Sequence, residues 1–216
     1  MPQLNGVLTA IVIDNVDPLG QGRVQVRFQG RSPNGHRGDL WARVATLMAG
    51  KDRGTFFIPD VDDEVLVAFS ESDRSRGFVI GSLWNDMNPP PQAVNPGNDK
   101  KVVRSRNGLE ITLNDQVGNE SLGIETPGGQ KVTLRDGFGA IEISDSNGNS
   151  LRLEASGITV TSSAKVNVQA STVTISCGML TVDAGMSRFS GAVQCDTMIS
   201  NSVVSASYTP GAGNVM

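Results

Sequence analysis

Aromatic residues are scarce: Phe, Trp and Tyr make up 5% of the 216 residues. A core built on large rings is excluded, and Val, Ile, Thr, Ser and Gly must instead supply short strands around a narrow aliphatic interior. Histidine occurs once, at His36, inside the turn Pro33-Asn34-Gly35-His36-Arg37-Gly38. A dyad or triad would need this histidine beside a nucleophile, whereas its place in a turn reads as a surface loop. Two cysteines, Cys177 and Cys195, are too few for a disulfide framework. They are expected as small buried groups at strand ends, with a bridge or a metal role as alternatives. No apolar run approaches the roughly 20 residues of a membrane-spanning helix. The opening Met1-Pro2-Gln3-Leu4-Asn5-Gly6 shows neither a basic region nor an apolar stretch, so no secretory leader and cytoplasmic synthesis are expected. Net charge is −4 with no dominant basic face, so nucleic acid is not an expected partner.

What is present is period-two alternation. Strands are predicted at Gly6–Ile13, Gly22–Phe28, Leu40–Val44, Glu64–Ser70 and Gly77–Leu83. Asp17-Pro18-Leu19-Gly20, Ser32-Pro33-Asn34-Gly35 and Pro59-Asp60 supply turns between them. Several strands in a short segment without helical periodicity predict a small closed barrel over residues 1–87. The prolines of Asn88-Pro89-Pro90-Pro91 and Asn95-Pro96-Gly97-Asn98 predict an extended linker over 88–100.

A ladder of short units follows over 101–200, leaving a blunt end at 201–216 whose tail, Ser205 to Met216, is rich in Gly, Ala and Ser. It is loose at Leu109–Leu113 and Leu122–Thr126 and regular from Val132. There Val132-Thr133-Leu134, Ile141-Glu142-Ile143, Leu151-Arg152-Leu153, Ile158-Thr159-Val160, Val166-Asn167-Val168, Val173-Thr174-Ile175 and Leu180-Thr181-Val182 start 9, 10, 7, 8, 7 and 7 residues apart. On a helix, residues two apart lie about 200° from each other and cannot share a seam, so a coiled coil is disfavoured. The units describe a solenoid or prism. One chain could coil alone, or three chains could share a triangular core. A lone solenoid needs caps, none is apparent, and the trimer is favoured. Charge thins along the ladder: residues 154–216 carry only Glu154, Lys165, Asp183, Arg188 and Asp196.

Asp17-Pro18 and Gly22-Arg23-Val24-Gln25-Val26-Arg27-Phe28 resemble the opening of spike proteins from contractile injection machines. These include phage baseplate spikes and the valine-glycine-repeat proteins of type VI secretion. Trp41-Ala42-Arg43-Val44 is similar to the next strand of that family. Ala49-Gly50, Gly54-Thr55-Phe56-Phe57-Ile58-Pro59 and Asp63-Glu64-Val65-Leu66-Val67-Ala68-Phe69 resemble its most recognisable stretch, and Gly81-Ser82-Leu83-Trp84-Asn85 its exit. Asp62 departs from the family, which usually has Gly there. The resemblance implies an all-β chain: an N-terminal OB-fold barrel, then an intertwined trimeric β-helix. It implies a homotrimer at the centre of a baseplate, below a hub protein contacted near Leu4, Asn5 and Gly6. The machine would drive it through a target envelope on sheath contraction. Some members of the family end in a histidine-rich tip that holds iron. With no histidine after His36, a separate tip protein with PAAR repeats is the expected substitute, docking near Tyr208, Pro210, Gly211, Val215 and Met216.

Other candidate chemistry is weak. Asp60, Asp62, Asp63 and Glu64 are read as a turn, since neighbours entering a strand alternate faces. Gly20-Gln21-Gly22 precedes no helix and is no phosphate loop. Lys100, Lys101, Arg104 and Arg106 are read as solvated linker charges, with contact to an acidic partner as the alternative. Trp41 and Trp84 are expected in the barrel core or rim rather than as a stacking platform. No catalytic residue, cofactor or metal is predicted, and no room is seen for an enzymatic domain. The competing classes are a trimeric tail-fibre adhesin binding surface glycans and a polysaccharide-cleaving β-helix. An adhesin needs aromatic-lined grooves, yet the aromatics after residue 139 are Phe189 and Tyr208 alone. Cleavage needs clustered carboxylates, and charge is rarest where the ladder is most regular.

Overall fold

The computed structural model describes residues 6–28, 38–70, 76–137 and 139–206. Among them the regular elements are all strands. No helix there is long and apolar enough to cross a membrane. The chain divides into two units, Met1–Val166 and Asn167–Met216.

The first unit opens with strands β1 (Val7–Asp14), β2 (Arg23–Phe28) and β3 (Leu40–Val44). A small hairpin follows, β4 (Ala49–Gly50) and β5 (Arg53–Gly54), and then β6 (Glu64–Phe69) and β7 (Gly77–Leu83). Five of these close into a barrel in the order β1-β2-β3-β7-β6. Pairings are antiparallel except β3 with β7, which run parallel. Closure removes free edges. Alternation drives it: in β2, Val24 and Val26 point inward and are fully buried, while Arg23, Gln25 and Arg27 face outward. Val12, Val65, Val67 and Val79 complete a core of valines with Ala10 and Ala42, flanked by the Phe28–Phe69 pair at 5.7 Å between centroids. Burying each valine contributes about 1.5–3 kcal/mol.

The β4–β5 hairpin has no counterpart among the predicted strands. Two-residue strands show no alternation to read. Gly54 closes this hairpin at φ 153°, and a Cβ there would lie 2.5 Å from the Met48 carbonyl oxygen.

After the proline-rich stretch, strands β8 (Lys100–Arg104), β9 (Glu110–Asn114), β10 (Ser121–Glu125), β11 (Lys131–Arg135), β12 (Ala140–Ser144), β13 (Ser150–Glu154) and β14 (Gly157–Thr161) form one sheet. Neighbours in sequence are neighbours in space, so the sheet is an antiparallel meander. β9 and β10 pair as regularly as the later strands, so the predicted loosening before Val132 is not seen.

Lys100, Lys101 and Arg104 belong to edge strand β8 and not to a linker. Lys101 meets Asp115, Arg104 meets Glu110, and Arg106 meets Asp60. Reading them as solvated linker charges is therefore corrected: charge on an edge strand blunts it against further pairing.

Residues 162–206 form no strand, although Val166–Val168, Val173–Ile175 and Leu180–Val182 carry the alternating pattern. Cys177 and Cys195 lie in this stretch. Both are free and exposed in the single chain, contrary to the burial expected of them, because the described residues around them are themselves exposed.

Candidate functional site

The registers of the meander place apolar residues opposite apolar residues from strand to strand. One row runs Val103, Ile111, Ile124, Val132, Ile143, Leu151, Val160. A parallel row runs Leu113, Leu122, Leu134, Ile141, Leu153, Ile158, with Lys101 at its β8 end. Both rows share one face, because residues two apart on a strand point the same way. Among the described strands of the first unit, none covers that face. Leu122 is 36% exposed and Val103 49%, and exposure reaches 71% at Ile158. A contiguous apolar surface of this extent marks an interaction site.

The opposite face is polar and self-satisfied. Thr112, Gly123, Thr133, Glu142, Arg152 and Thr159 stand in one cross-strand row. Arg135 pairs with Glu142 at 3.2 Å, Lys131 with Glu125 at 2.9 Å and Arg152 with Glu154 at 2.8 Å. Exposed pairs of this kind add little stability, but they keep this face in water and so orient the sheet.

Three hairpin turns on one side of the sheet share a template. Ser105, Thr126 and Asp145 each open a turn whose fourth residue is a left-handed glycine: Gly108, Gly129 and Gly148. In each, a side-chain oxygen of the first residue accepts the N–H four residues on: Leu109 at 3.0 Å, Gln130 at 3.2 Å and Asn149 at 2.9 Å. At Asp145 the Asn149 side chain and backbone, with Asn147, hold the carboxyl down to about pH 2. The turns stack: a Cβ on Gly108 would sit 3.2 Å from Pro127, and one on Gly129 would sit 3.2 Å from Ser146. The recurrence Ser105-x-x-Gly108, Thr126-x-x-Gly129, Asp145-x-x-Gly148 was the missed signal; strand units alone do not reveal it.

In the barrel, Asp17 organises the loop between β1 and β2. Its carboxylate accepts N–H bonds from Leu19, Gln21 and Arg23 and meets the Arg23 guanidinium at 2.6 Å. Arg23 in turn lies over Trp41 at 5.5 Å. Trp41 is half-buried on the rim, whereas Trp84 is largely exposed. Asp60, Asp62, Asp63 and Glu64 form a turn: Asp63 accepts the Asp60 N–H at 2.9 Å, and Glu64 accepts the Asn85 side-chain amide. Among the described residues no group of three or more His, Cys, Asp or Glu could hold a metal ion. Beside the β4–β5 hairpin, Leu47, Phe56 and Phe57 are strongly exposed, which the family-like pattern alone did not reveal.

Of the residues predicted for a hub contact, Gly6 is described and exposed, while Leu4 and Asn5 lie outside the described residues. Tyr208, Pro210, Gly211, Val215 and Met216, predicted for tip docking, also lie outside them, as does His36.

Residues 8–84 match the type VI secretion system/phage-baseplate injector OB domain. Residues 121–181 match the phage baseplate V C-terminal trimerisation domain, which contains strands β10 to β14 of the apolar face. Among curated proteins, the type VI secretion system spike protein VgrG3 of Vibrio cholerae is 30% identical over 135 residues, 56% of this chain and 13% of that protein. VgrG1b of Pseudomonas aeruginosa is 28% identical over 153 residues, 63% of this chain and 20% of that protein. VgrG1a of the same organism is 30% identical over 139 residues, 56% of this chain and 21% of that protein. The chain thus spans about a fifth or less of the length of these relatives. With a closed five-stranded barrel of OB type and a trimerisation domain carrying the apolar face, the chain belongs to the phage baseplate V and VgrG spike family.

Proposed function

We propose that the chain is a non-enzymatic structural spike at the centre of the baseplate of a contractile injection machine. Three copies turn their apolar sheet faces inward and close a shaft below the barrels. The division of labour is residues 1–87 as barrel, 88–99 as linker, β8 to residue 200 as shaft and 201–216 as blunt tip. A hub protein sits above the barrel and meets the chain near Leu4, Asn5 and Gly6. A separate PAAR-type tip protein docks near Tyr208, Pro210, Gly211, Val215 and Met216. Sheath contraction drives the assembly into the target envelope, and the low charge of residues 154–216 reduces the desolvation cost of that passage. Synthesis in the cytoplasm and assembly into a phage-tail-like particle complete the reading.

The observation that carries it is the pair of apolar rows on one face of the seven-stranded sheet, half-exposed in one chain, most of it within the matched trimerisation domain. A self-complementary face of this kind is satisfied by copies of itself around a closed symmetry axis. Light scattering after size exclusion tests it. The mass of three chains, persisting in mild detergent, is expected; a stable single chain overturns the spike reading.

A further inference from the structure

The two ends of the barrel are unlike. Asp14 stands opposite Gln25, Arg23 opposite Arg43, Val44 opposite Val79 and Leu83 opposite Glu64. The end of β1, the start of β2, the end of β3, the start of β6 and the end of β7 therefore lie together. Val7, Phe28, Leu40, Phe69 and Gly77 lie at the other end. The chain leaves the barrel at the first of these ends, after Leu83. There too Asp60 meets Arg106, in the turn between β8 and β9, at 2.9 Å. This end faces the sheet, and the hub contact placed near Gly6 is at the opposite one.

Exposed apolar side chains gather at the sheet-facing end. Leu47 is 96% exposed, Phe56 82% and Phe57 74%, and Val16, Leu19 and Trp84 are also largely exposed. At the opposite end, the exposed large hydrophobic residue among those described is Val7. The hairpin base is held firmly: the Thr46 hydroxyl donates to the Thr55 carbonyl at 2.6 Å, and the Thr55 N–H donates to the Met48 carbonyl at 3.0 Å. Leu47 and Phe56 are thus presented on a fixed frame, and little order is left to impose when they are covered. The described strands of the same chain leave them open. Large apolar side chains clustered in water mark an interaction surface.

This surface adjoins the apolar face of the sheet. The Ser105 N–H donates to the Leu109 carbonyl at 2.8 Å, which extends the β8–β9 ladder to Leu109. Leu109, Ile111 and Leu113 then share one side. Leu109 follows Arg106 by three residues, and Phe57 precedes Asp60 by three. Three residues span at most about 11 Å. The Arg106–Asp60 contact therefore sets Phe57 beside the margin where the apolar face begins. A copy of the chain that covers the face comes within reach of the barrel patch as well.

We propose that Leu47, Phe56 and Phe57 dock on a second copy of the chain, at the β8–β9 end of its sheet. The inference rests on the trimeric reading but goes further, since three sheets could close together and leave each barrel hanging on its linker. The consequence is mechanical. Without the contact, a barrel is tied to the sheet by the chain after Leu83 and by the exposed Asp60–Arg106 pair, and exposed pairs hold little. With it, each barrel seats across two copies, and an axial load passes into the shaft through packed side chains.

Photo-crosslinking on the full-length chain tests this. p-Benzoylphenylalanine is introduced at Leu47 and, separately, at Phe57, with circular dichroism as the folding control and light scattering giving the mass before irradiation. After irradiation and boiling in detergent, a species of two chains' mass is expected. Mass spectrometry of that species should place the crosslink within Lys100–Leu113 of the second copy. A confirmed trimer that yields the mass of one chain alone would overturn the docking and leave the trimer standing. Crosslinks to the barrel of a second copy would overturn it too, as would an equal yield from the same probe at Val7. A wild-type mass of one chain would overturn the trimeric reading itself, and the docking with it. The two probe positions are independent, so a variant lost to misfolding leaves the other to decide.

Discussion

Asp17 and Arg23 lock the first barrel loop from both ends: the carboxylate that accepts the Leu19, Gln21 and Arg23 backbone N–H groups also meets the Arg23 guanidinium at 2.6 Å. The Arg23 contact, then the backbone bonds, hold the Asp17 carboxyl far below the ordinary carboxylate value. A carboxyl with a depressed folded-state pKa contributes stability that is present above its unfolded value near 3.8 and is lost as pH falls towards the folded value. Barrel melting temperature should therefore fall as pH is lowered through about 4. Asp17→Asn should lower it at neutral pH and flatten the acid decline. Thermal denaturation followed by circular dichroism across that range measures both. An unchanged acid limb in the variant would show that other carboxylates set it. Asp145 has the same sign, its carboxyl held to about pH 2, and should make the sheet acid-sensitive in the same window.

Asp62 occupies the left-handed region at φ 75°, at the position where the family pattern usually has glycine. Its N–H donates to the Val12 carbonyl at 2.9 Å, so the geometry is fixed by β1 and not by the side chain. Asp tolerates this region better than most residues, and β-branched residues tolerate it worst. Asp62→Val should destabilise the barrel by about 1–2 kcal/mol. Asp62→Gly should be neutral or stabilising by up to about 0.5 kcal/mol, since relief of strain offsets glycine's unfolded-state entropy. Urea denaturation of the two variants gives the order. A Val variant as stable as wild type would mean that the loop moves to another conformation.

The barrel strands were legible because each alternates for five residues or more between strong turn signals; Leu40–Val44 and Gly77–Leu83 were read to the residue. Glu110–Asn114 and Ser121–Glu125 lie within one residue of their predicted bounds. Lys100–Arg104 was misread because charge signals solvent in a linker and protection in an edge strand, and composition does not separate the two. Val166–Val168 shows the opposite limit. Its alternation is that of a strand, but a strand exists only when something pairs with it, and none of the described residues pairs with it. The apolar face was legible as periodicity, whereas its two unbroken rows follow from registers that the hairpin turns set. Those turns depend on single glycines in repeats about 20 residues apart, too sparse to stand out among 25 glycines.

Gly129 tests the turn template. It sits at φ 86°, and a Cβ there would lie 3.2 Å from the Ser146 Cβ of the next turn. Gly129→Ala therefore meets backbone strain of about 1–2 kcal/mol and a tight contact with its neighbour. Gly123 lies inside β10 with open space around its Cβ position, and Gly123→Ala should stabilise that strand by about 0.5 kcal/mol or more. Thermal melting of the two variants should thus move in opposite directions. If Gly129→Ala melts at or above the wild-type temperature, the stacked turns are not a constraint on the sheet.

The two faces of the sheet make opposite predictions for charge. Ile143 lies on the apolar face, flanked by Val132 on one strand and Leu151 on the other. In a trimer each copy would bury it, and a carboxylate there would place three like charges around one axis without partners, which costs several kcal/mol per charge. Ile143→Asp should convert the mass of three chains to that of one, while the barrel, whose valine core is separate, keeps its fold. Ile143→Ala should preserve the trimer but lower its stability by about 2–5 kcal/mol for each chain, the usual range for truncating a buried isoleucine. Thr112 lies on the polar face, between Val102 and Gly123, with its hydroxyl on Glu110. Thr112→Lys gains a favourable neighbour there and should leave the mass unchanged. Light scattering on the three variants separates the faces. Dissociation by Thr112→Lys, or survival of the trimer in Ile143→Asp, would place the three-fold contact on the other side of the sheet.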